Sequence, residues 1–280
     1  MPVYDAHIHV QPWWELRPEV LEAMTRGRTD VDELQRIMKS PQHLLRRLDA
    51  DGIDRAVLVN YPSPDLMGFS ARVNEYVAEY CQAAPDRLIP MGGVHPRFAE
   101  DAAAEVRRAA ELGVRALKVH PPHMAVAANA YLDGLDSLRA IYEEAQRLKL
   151  PVMIHTGTSI FQGARSRLGE PMAVDDVAVD FPDLTIILAH GGRPLWMEQA
   201  FFLVRRFPRV YFDVSSVPPK ALLRYFPRLA DVADKAIYGS DWPAPGVRSM
   251  AANLADFRSL DLGEDVREKM LWNNAAKVFG

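Results

Sequence analysis

The chain has 280 residues, of which 49% are hydrophobic and 25% charged, with a formal net charge of −4. That is a globular composition. It has no basic surplus for a nucleic-acid partner, and no apolar run approaches the roughly 20 residues that a bilayer-spanning helix needs. A single cysteine, Cys81, excludes an internal disulfide. In "VAEYCQAA" it reads as a packed thiol on a helix, and with no basic-then-apolar leader at the start the expected location is cytoplasmic.

In chain order, the first element is "YDAHIHV". Alternate side chains of a strand face opposite sides, so Asp5, His7 and His9 share one face and Tyr4, Ala6, Ile8 and Val10 the other. The second face is ordinary packing surface; the first is polar. A long connection, 11–39, follows and carries Trp13 and Trp14, as a pocket lid or as a surface excursion packed by its tryptophans. "SPQHLLRRLDADGID" then reads as a helix with Ser40 as N-cap, Pro41 at its first position and Gly52 at its stop. Further strand-like runs rich in Val, Ile and Leu lie at 55–60, 88–94, 114–120, 151–155, 184–190, 209–214 and 236–241. Amphipathic stretches separate them, among them "LDSLRAIYEEAQRLKLP", ended by Pro151, and the helical C-terminal stretch "ADFRSLDLGEDVREKMLWNNAAKVFG". Eight strands alternating with helices predict a (β/α)8 TIM barrel of the α/β class, one catalytic domain over 1–280 with the 11–39 segment inserted after the first strand. A doubly wound open sheet is the alternative, and it lacks its usual Gly-rich phosphate turn here.

A barrel places its chemistry at the C-terminal ends of its strands. Those ends carry His7, His9, Asn60, His95, Lys118, His120, His155, His190, Asp213 and Asp241, with His123 in the loop just after the fourth strand. Only His43, of eight histidines, falls elsewhere. One strand-end histidine is ordinarily a satisfied polar residue. Several imidazoles in one cavity with a carboxylate cost free energy unless they are paired or bound. A divalent metal supplies the partner: Zn²⁺ first for this nitrogen and oxygen donor set, with Mn²⁺, Co²⁺ or Fe²⁺ as alternatives.

The pieces "YDAHIHV", "ALKVHPP", "LPVMIHTG", "DFPDLTIILAHGG", "RVYFDVS", "IYGSDWP" and "NNAAKVFG", spread over residues 4–280, resemble the amidohydrolase superfamily. The similarity is to its amidohydrolase-related, aminocarboxymuconate semialdehyde decarboxylase-like branch. The resemblance implies a metal held by His7, His9, His155 and Asp241, with His190 and Asp241 as catalytic groups; Asp5, deeper on the same strand face as His7 and His9, reads as their support. Lys118 stands where some members of the superfamily carry a carboxylated lysine bridging two metals. In the single-metal branch it is instead an ammonium for a substrate carboxylate or for a buried acid. His120, Arg193 and Trp242 are further candidate substrate contacts, as is His95, and Arg165 is a third candidate clamp for an acidic substrate beside Arg193 and Lys118. The bland readings are a helix cap for Arg193, rim packing for Trp242 and a turn for His95.

Two reactions fit these residues. Hydrolysis of an ester, lactone, amide or C–C bond by a metal-activated water is the commonest chemistry of the wider superfamily and stands first. Non-oxidative decarboxylation of a small carboxylic acid stands second, and a non-catalytic metal-binding barrel third. The expected partner is a small molecule rather than nucleic acid or membrane. "MEQAFFLVRRFP" is apolar enough for a homo-oligomer interface, though covering the barrel accounts for it equally well.

Overall fold

The alternation of strand and helix becomes a barrel. The computed structural model describes residues 1–280. Its strands are β1 (Tyr4–Ile8), β2 (Arg55–Val59), β3 (Leu88–Gly92), β4 (Ala116–Val119), β5 (Val152–Gly157), β6 (Ile186–Arg193), β7 (Val210–Asp213) and β8 (Ala236–Ile237). All seven neighbouring pairs are parallel, in chain order. Parallel neighbours require crossovers, and helices such as Pro41–Asp51, Val73–Cys81, Ala102–Glu111, Asp136–Leu148, Ala173–Asp180 and Met197–Arg206 supply them. The architecture is the expected (β/α)8 TIM barrel.

Local chemistry explains the boundaries. Pro41 opens its helix, where a missing N–H is harmless, and Gly52 closes it in the left-handed conformation at φ 73°. The helix Asp136–Leu148 stops before Pro151, because Lys149 turns left-handed (φ 57°) and its N–H bonds back to the Ala145 and Gln146 carbonyls. In β1 the outward Tyr4 ring meets Trp272 and Phe279, with ring centroids 5.7 and 6.3 Å away. Asp5 and His7 point to the interior, as strand parity requires.

The eighth strand is shorter than the expected 236–241, and the way it breaks off makes the site. After Ile237 the backbone closes the barrel against β1 by separate bonds: Ala6 N to Tyr238 O (3.0 Å), Asp241 N to His7 O (2.8 Å) and His9 N to Trp242 O (2.7 Å). Asp241, four residues past the strand, takes a left-handed φ of 65°. Gly239 lies so close to β1 that a Cβ on it would stand 2.8 Å from the Cβ of His7.

The 11–39 segment forms a 3-10 turn, Trp13–Glu15, and two helices, Pro18–Thr25 and Val31–Lys39. Trp13 is buried and Trp14 is 56% exposed. Between the helices Arg28 grips Asp30 in a two-pronged ion pair (2.9 and 2.8 Å) and donates to the Pro243 and Val247 carbonyls (3.2 and 3.3 Å). The segment is thereby pinned to the loop after β8. No helix is long and apolar enough to cross a membrane.

Candidate metal centre

The β1–β8 seam brings His7, His9 and Asp241 together. His7 Nε2 lies 3.5 Å and His9 Nε2 3.2 Å from the same oxygen, Asp241 Oδ1. The far side of each ring determines what those nitrogens are. His7 Nδ1 is 2.6 Å from Asp213 Oδ2, and His9 Nδ1 is 3.0 Å from the Val59 carbonyl. His190 Nδ1 is 3.1 Å from the Ser215 carbonyl and 2.8 Å from the Ser215 hydroxyl. A carbonyl or carboxylate oxygen can only accept, so each Nδ1 carries the ring proton and each uncharged ring is left with a bare Nε2. Two bare nitrogens then face a carboxylate oxygen, lone pair toward lone pair, an arrangement that calls for a cation between them.

Orphaned buried atoms point the same way. His7 Nε2 and both nitrogens of His155 are buried without a hydrogen-bond partner. An unsatisfied buried polar group costs about 1–3 kcal/mol. Burial holds the His7, His155 and His190 rings well on the neutral, ligand-competent side of their ordinary range. For Asp241 burial opposes the charge, but positive charge at the His190, His9 and His7 positions around it outweighs that and holds the carboxyl well below the usual range; with those rings neutral, that charge is what a bound cation would supply. The residues fit a divalent ion by donor chemistry: neutral imidazoles and an ionised carboxylate.

The ligand atoms that lie mutually within 4.8 Å belong to His7, His190 and Asp241. Of the four ligands named from the sequence, His7 and Asp241 are in that group, and His9 touches it through Asp241. His155 stands across the ring of His190, centroids 4.8 Å apart. His190, named as an acid–base group, is thus as near to His7 and Asp241 as a ligand would be. Both His190 and Asp241 are non-glycine residues held at positive φ, 71° and 65°. Such strain costs on the order of 1–3 kcal/mol and persists where surrounding structure over-determines it. For His190 part of that structure is Thr156, whose hydroxyl donates to the Ala189 carbonyl (2.9 Å) and accepts from Gly192 N (3.1 Å).

Asp5 supports backbone rather than an imidazole: its Oδ1 accepts from Ser240 N (2.9 Å) and His7 N (3.2 Å), and burial pushes its carboxyl up to about 7. Lys118 is buried with its Nζ unpartnered, and burial brings the amine down to about 8 against the pull of Asp213 and Asp241.

Above the cluster opens a pocket that reaches His9, His155, His190 and Asp241. Its walls place the remaining sequence candidates. His120 and Arg193 line it; His120 stacks on His155 at 3.9 Å. The Nε of Arg193 is buried with no hydrogen-bond partner, and burial pushes the guanidinium below its ordinary range. Trp242 is 1% exposed and lies outside this lining, its ring 6.0 Å from the Arg47 guanidinium carbon. His95 packs on Phe98 and accepts from Arg97 N (3.2 Å), shaping the turn after β3. Arg165 is exposed and borders a separate cavity with Arg97 and Arg167.

Sequence reasoning passed over Ser215, Tyr61, Ser159, Gln11 and Met24. Ser215 shares the inward face of Asp213 two residues on, so strand parity offered a signal for it; Tyr61 follows inward Asn60 beyond the β2 end, where parity gives the opposite face. Gln11, Met24 and Ser159 come from connections with no periodicity to read.

The amidohydrolase family model matches residues 4–280 of the chain. The gamma-resorcylate decarboxylase of Rhodococcus jostii (strain RHA1) is 24% identical over 305 residues, covering 89% of this chain and 90% of the relative. An uncharacterised TIM-barrel protein of Bordetella bronchiseptica superposes with a TM-score of 0.79 at 22% identity, covering 99% of this chain and 98% of its own. The 5-carboxyvanillate decarboxylase of Novosphingobium aromaticivorans, complexed with manganese and 4-hydroxy-3-methoxy-5-nitrobenzoic acid, superposes with a TM-score of 0.71 at 18% identity, covering 99% and 95%.

Proposed function

This chain belongs to the amidohydrolase family and is an enzyme of its metal-dependent, amidohydrolase-related type; on that premise we propose that its reaction is the non-oxidative decarboxylation of a small, planar carboxylic acid. Residues 1–280 act as one catalytic unit, with the 11–39 segment contributing Gln11 and Met24 to the pocket wall. His7, His9, His155 and Asp241 are the residues that would hold a single Zn²⁺ or Mn²⁺, with His190 beside them. The bound ion supplies Lewis acidity toward substrate oxygens and lowers the pKa of a water from about 16 toward about 7.

The observation that carries the acidic substrate is Arg193. Its guanidinium reaches the pocket with a buried Nε that no group of the chain satisfies. Leaving a buried donor unpaired is costly, and a substrate carboxylate against this half-buried guanidinium completes it. The Phe161 and Tyr61 rings and the His120–His155 stack suit a flat ring. In decarboxylation the electron pair of the C–C bond stays on the ring carbon, that carbon takes up one proton, and CO₂ leaves. His190 lines the pocket with its Nδ1 tied to Ser215, so its Nε2 is the nitrogen free to take a proton from solvent and deliver it.

Hydrolysis, first in the sequence reading, is supported by Asp241. Its carboxylate is held ionised beside the imidazoles, where it can take a proton from an attacking water. Both decarboxylase relatives move the balance to the carboxy-lyase reading. The test is to load the protein with Zn²⁺ or Mn²⁺ and follow CO₂ release from γ-resorcylate and 5-carboxyvanillate beside turnover of an ester and lactone panel. Metal-dependent CO₂ release is expected. Turnover of a lactone or ester with no CO₂ from either acid would transfer the assignment to hydrolysis.

A further inference from the structure

Beside the metal-site residues the pocket contains a second hydrogen-bonded chain of side chains. His123, in the short helix Pro121–Met124 after β4, sits between two hydroxyls: its Nδ1 is 2.9 Å from Tyr61 OH and its Nε2 is 2.9 Å from Ser159 Oγ. All three residues line the pocket. A neutral imidazole has one donor and one acceptor nitrogen, so the chain runs in one of two directions.

Burial decides which. The Tyr61–His123 bond is fully buried, and the phenol has no other acceptor in the chain. If His123 donated to Tyr61, the phenol proton would be a buried donor with nowhere to go. If Tyr61 donates to Nδ1, every buried group is satisfied and the unmatched proton appears at the other end, on half-buried Ser159. Burial supports this by keeping the ring neutral, its pKa pushed down to about 3. Ser159 Oγ then accepts from His123 Nε2 and also from Phe161 N (3.3 Å). With both lone pairs taken, its hydroxyl can only donate.

His120 carries the same polarity. Its Nδ1 accepts from His123 N at 3.4 Å, which leaves the proton of the neutral ring on Nε2. At Ser159 and His120 this wall therefore offers the substrate donors.

We propose that Ser159 is a specificity-determining residue, locked as a hydrogen-bond donor by the one-way chain Tyr61→His123→Ser159, and that the wall it shares with His120 takes an acceptor oxygen of the substrate and rejects a donor group there. The occupant is a carboxylate, carbonyl or phenolate oxygen, at a position separate from Arg193. The substrate part rests on the reading of this pocket as the small-molecule site. The protonation pattern of His123 does not, so the two are tested apart.

Two-bond ¹H–¹⁵N correlation on the ¹⁵N-histidine-labelled full chain should show His123 as the Nε2–H tautomer, shifting to a mixture in Tyr61→Phe. Isophthalate, whose second carboxylate is free when Arg193 holds the first, serves as the acceptor probe and 3-amidinobenzoate as the donor probe, titrated into the Zn²⁺-loaded protein by calorimetry. Ser159→Ala should weaken isophthalate about tenfold or more while metal stoichiometry stays unchanged, and should not weaken 3-amidinobenzoate. An Nδ1–H tautomer in the wild type would overturn the direction of the chain. Isophthalate affinity within twofold of wild type in Ser159→Ala would overturn the subsite. Absence of any CO₂ release or hydrolysis with both results in place would count against the proposed reaction alone.

Discussion

The amide of Asp241 donates to the carbonyl of His7 across the closing seam of the barrel, 2.8 Å apart. That one bond places the last strand-end carboxylate beside the first strand-end imidazole, more than 230 residues earlier in the chain. Its neighbour, His9 N to Trp242 O (2.7 Å), brings the second imidazole to the same carboxylate. The centre is therefore a product of barrel closure.

Asp213 orients this centre without touching the pocket. Its Oδ2 holds His7 Nδ1 (2.6 Å) and its Oδ1 accepts from Ser215 N (2.6 Å), so it also steadies the hydroxyl that bonds His190. Outer partners of this kind are worth about 10–100-fold in metal affinity. Asp213→Asn should weaken metal binding by that order, measured by chelator competition, with the folded far-UV spectrum retained. Unchanged affinity would remove Asp213 from the metal's support.

His155 and His190 compete for one role. His155→Ala should lower the metal content of the purified protein. His190→Gln should keep it at one ion per chain and lose about 10²–10⁴-fold in turnover, the usual contribution of a general acid or base. Plasma emission analysis of both variants reads this directly. If His190→Gln loses the ion and His155→Ala keeps it, His190 is the ligand.

The pin between the 11–39 segment and the β8 loop is pH-dependent. Its hydrogen bonds from Arg28 hold the Asp30 carboxyl below its ordinary range, against a smaller opposing effect of burial. A depressed folded pKa contributes stability that is present above the unfolded value, about 4, and is lost as pH falls through the folded value. Asp30→Asn should cost about 1–2 kcal/mol at pH 7, and the cost should shrink as pH falls below about 4, read from urea midpoints. An equal cost at pH 7 and pH 3 would show that the charge plays no part.

The strands were legible because each is a short Val-, Ile- and Leu-rich run, and the inward face of β1 because parity alone separates Asp5 and His7 from Tyr4 and Ile8. His120 was legible as a strand-end residue, and Arg193 as a cation three residues past one. Trp242 had two readings, substrate contact or packing; it follows Asp241, and its ring is buried in packing outside the pocket lining. Arg165 was read as a clamp from its charge, yet its loop carries it to a different cavity. Ser159 had no signal of any kind, since its partners Tyr61 and His123 lie 98 and 36 residues away along the chain.

By itself the amino-acid sequence determined the kind of molecule: eight strand–helix units, histidines collected at strand ends, and a carboxylate at the end of the last strand-like run. These follow from periodicity and residue type, which are local properties of a chain. Tertiary structure alone decided which imidazole nitrogens are bare, which cation of several reaches the pocket, and which way the protons run through His123. Each of those depends on a hydrogen-bond partner or on burial supplied by a distant segment, and a one-dimensional pattern does not encode distances between segments.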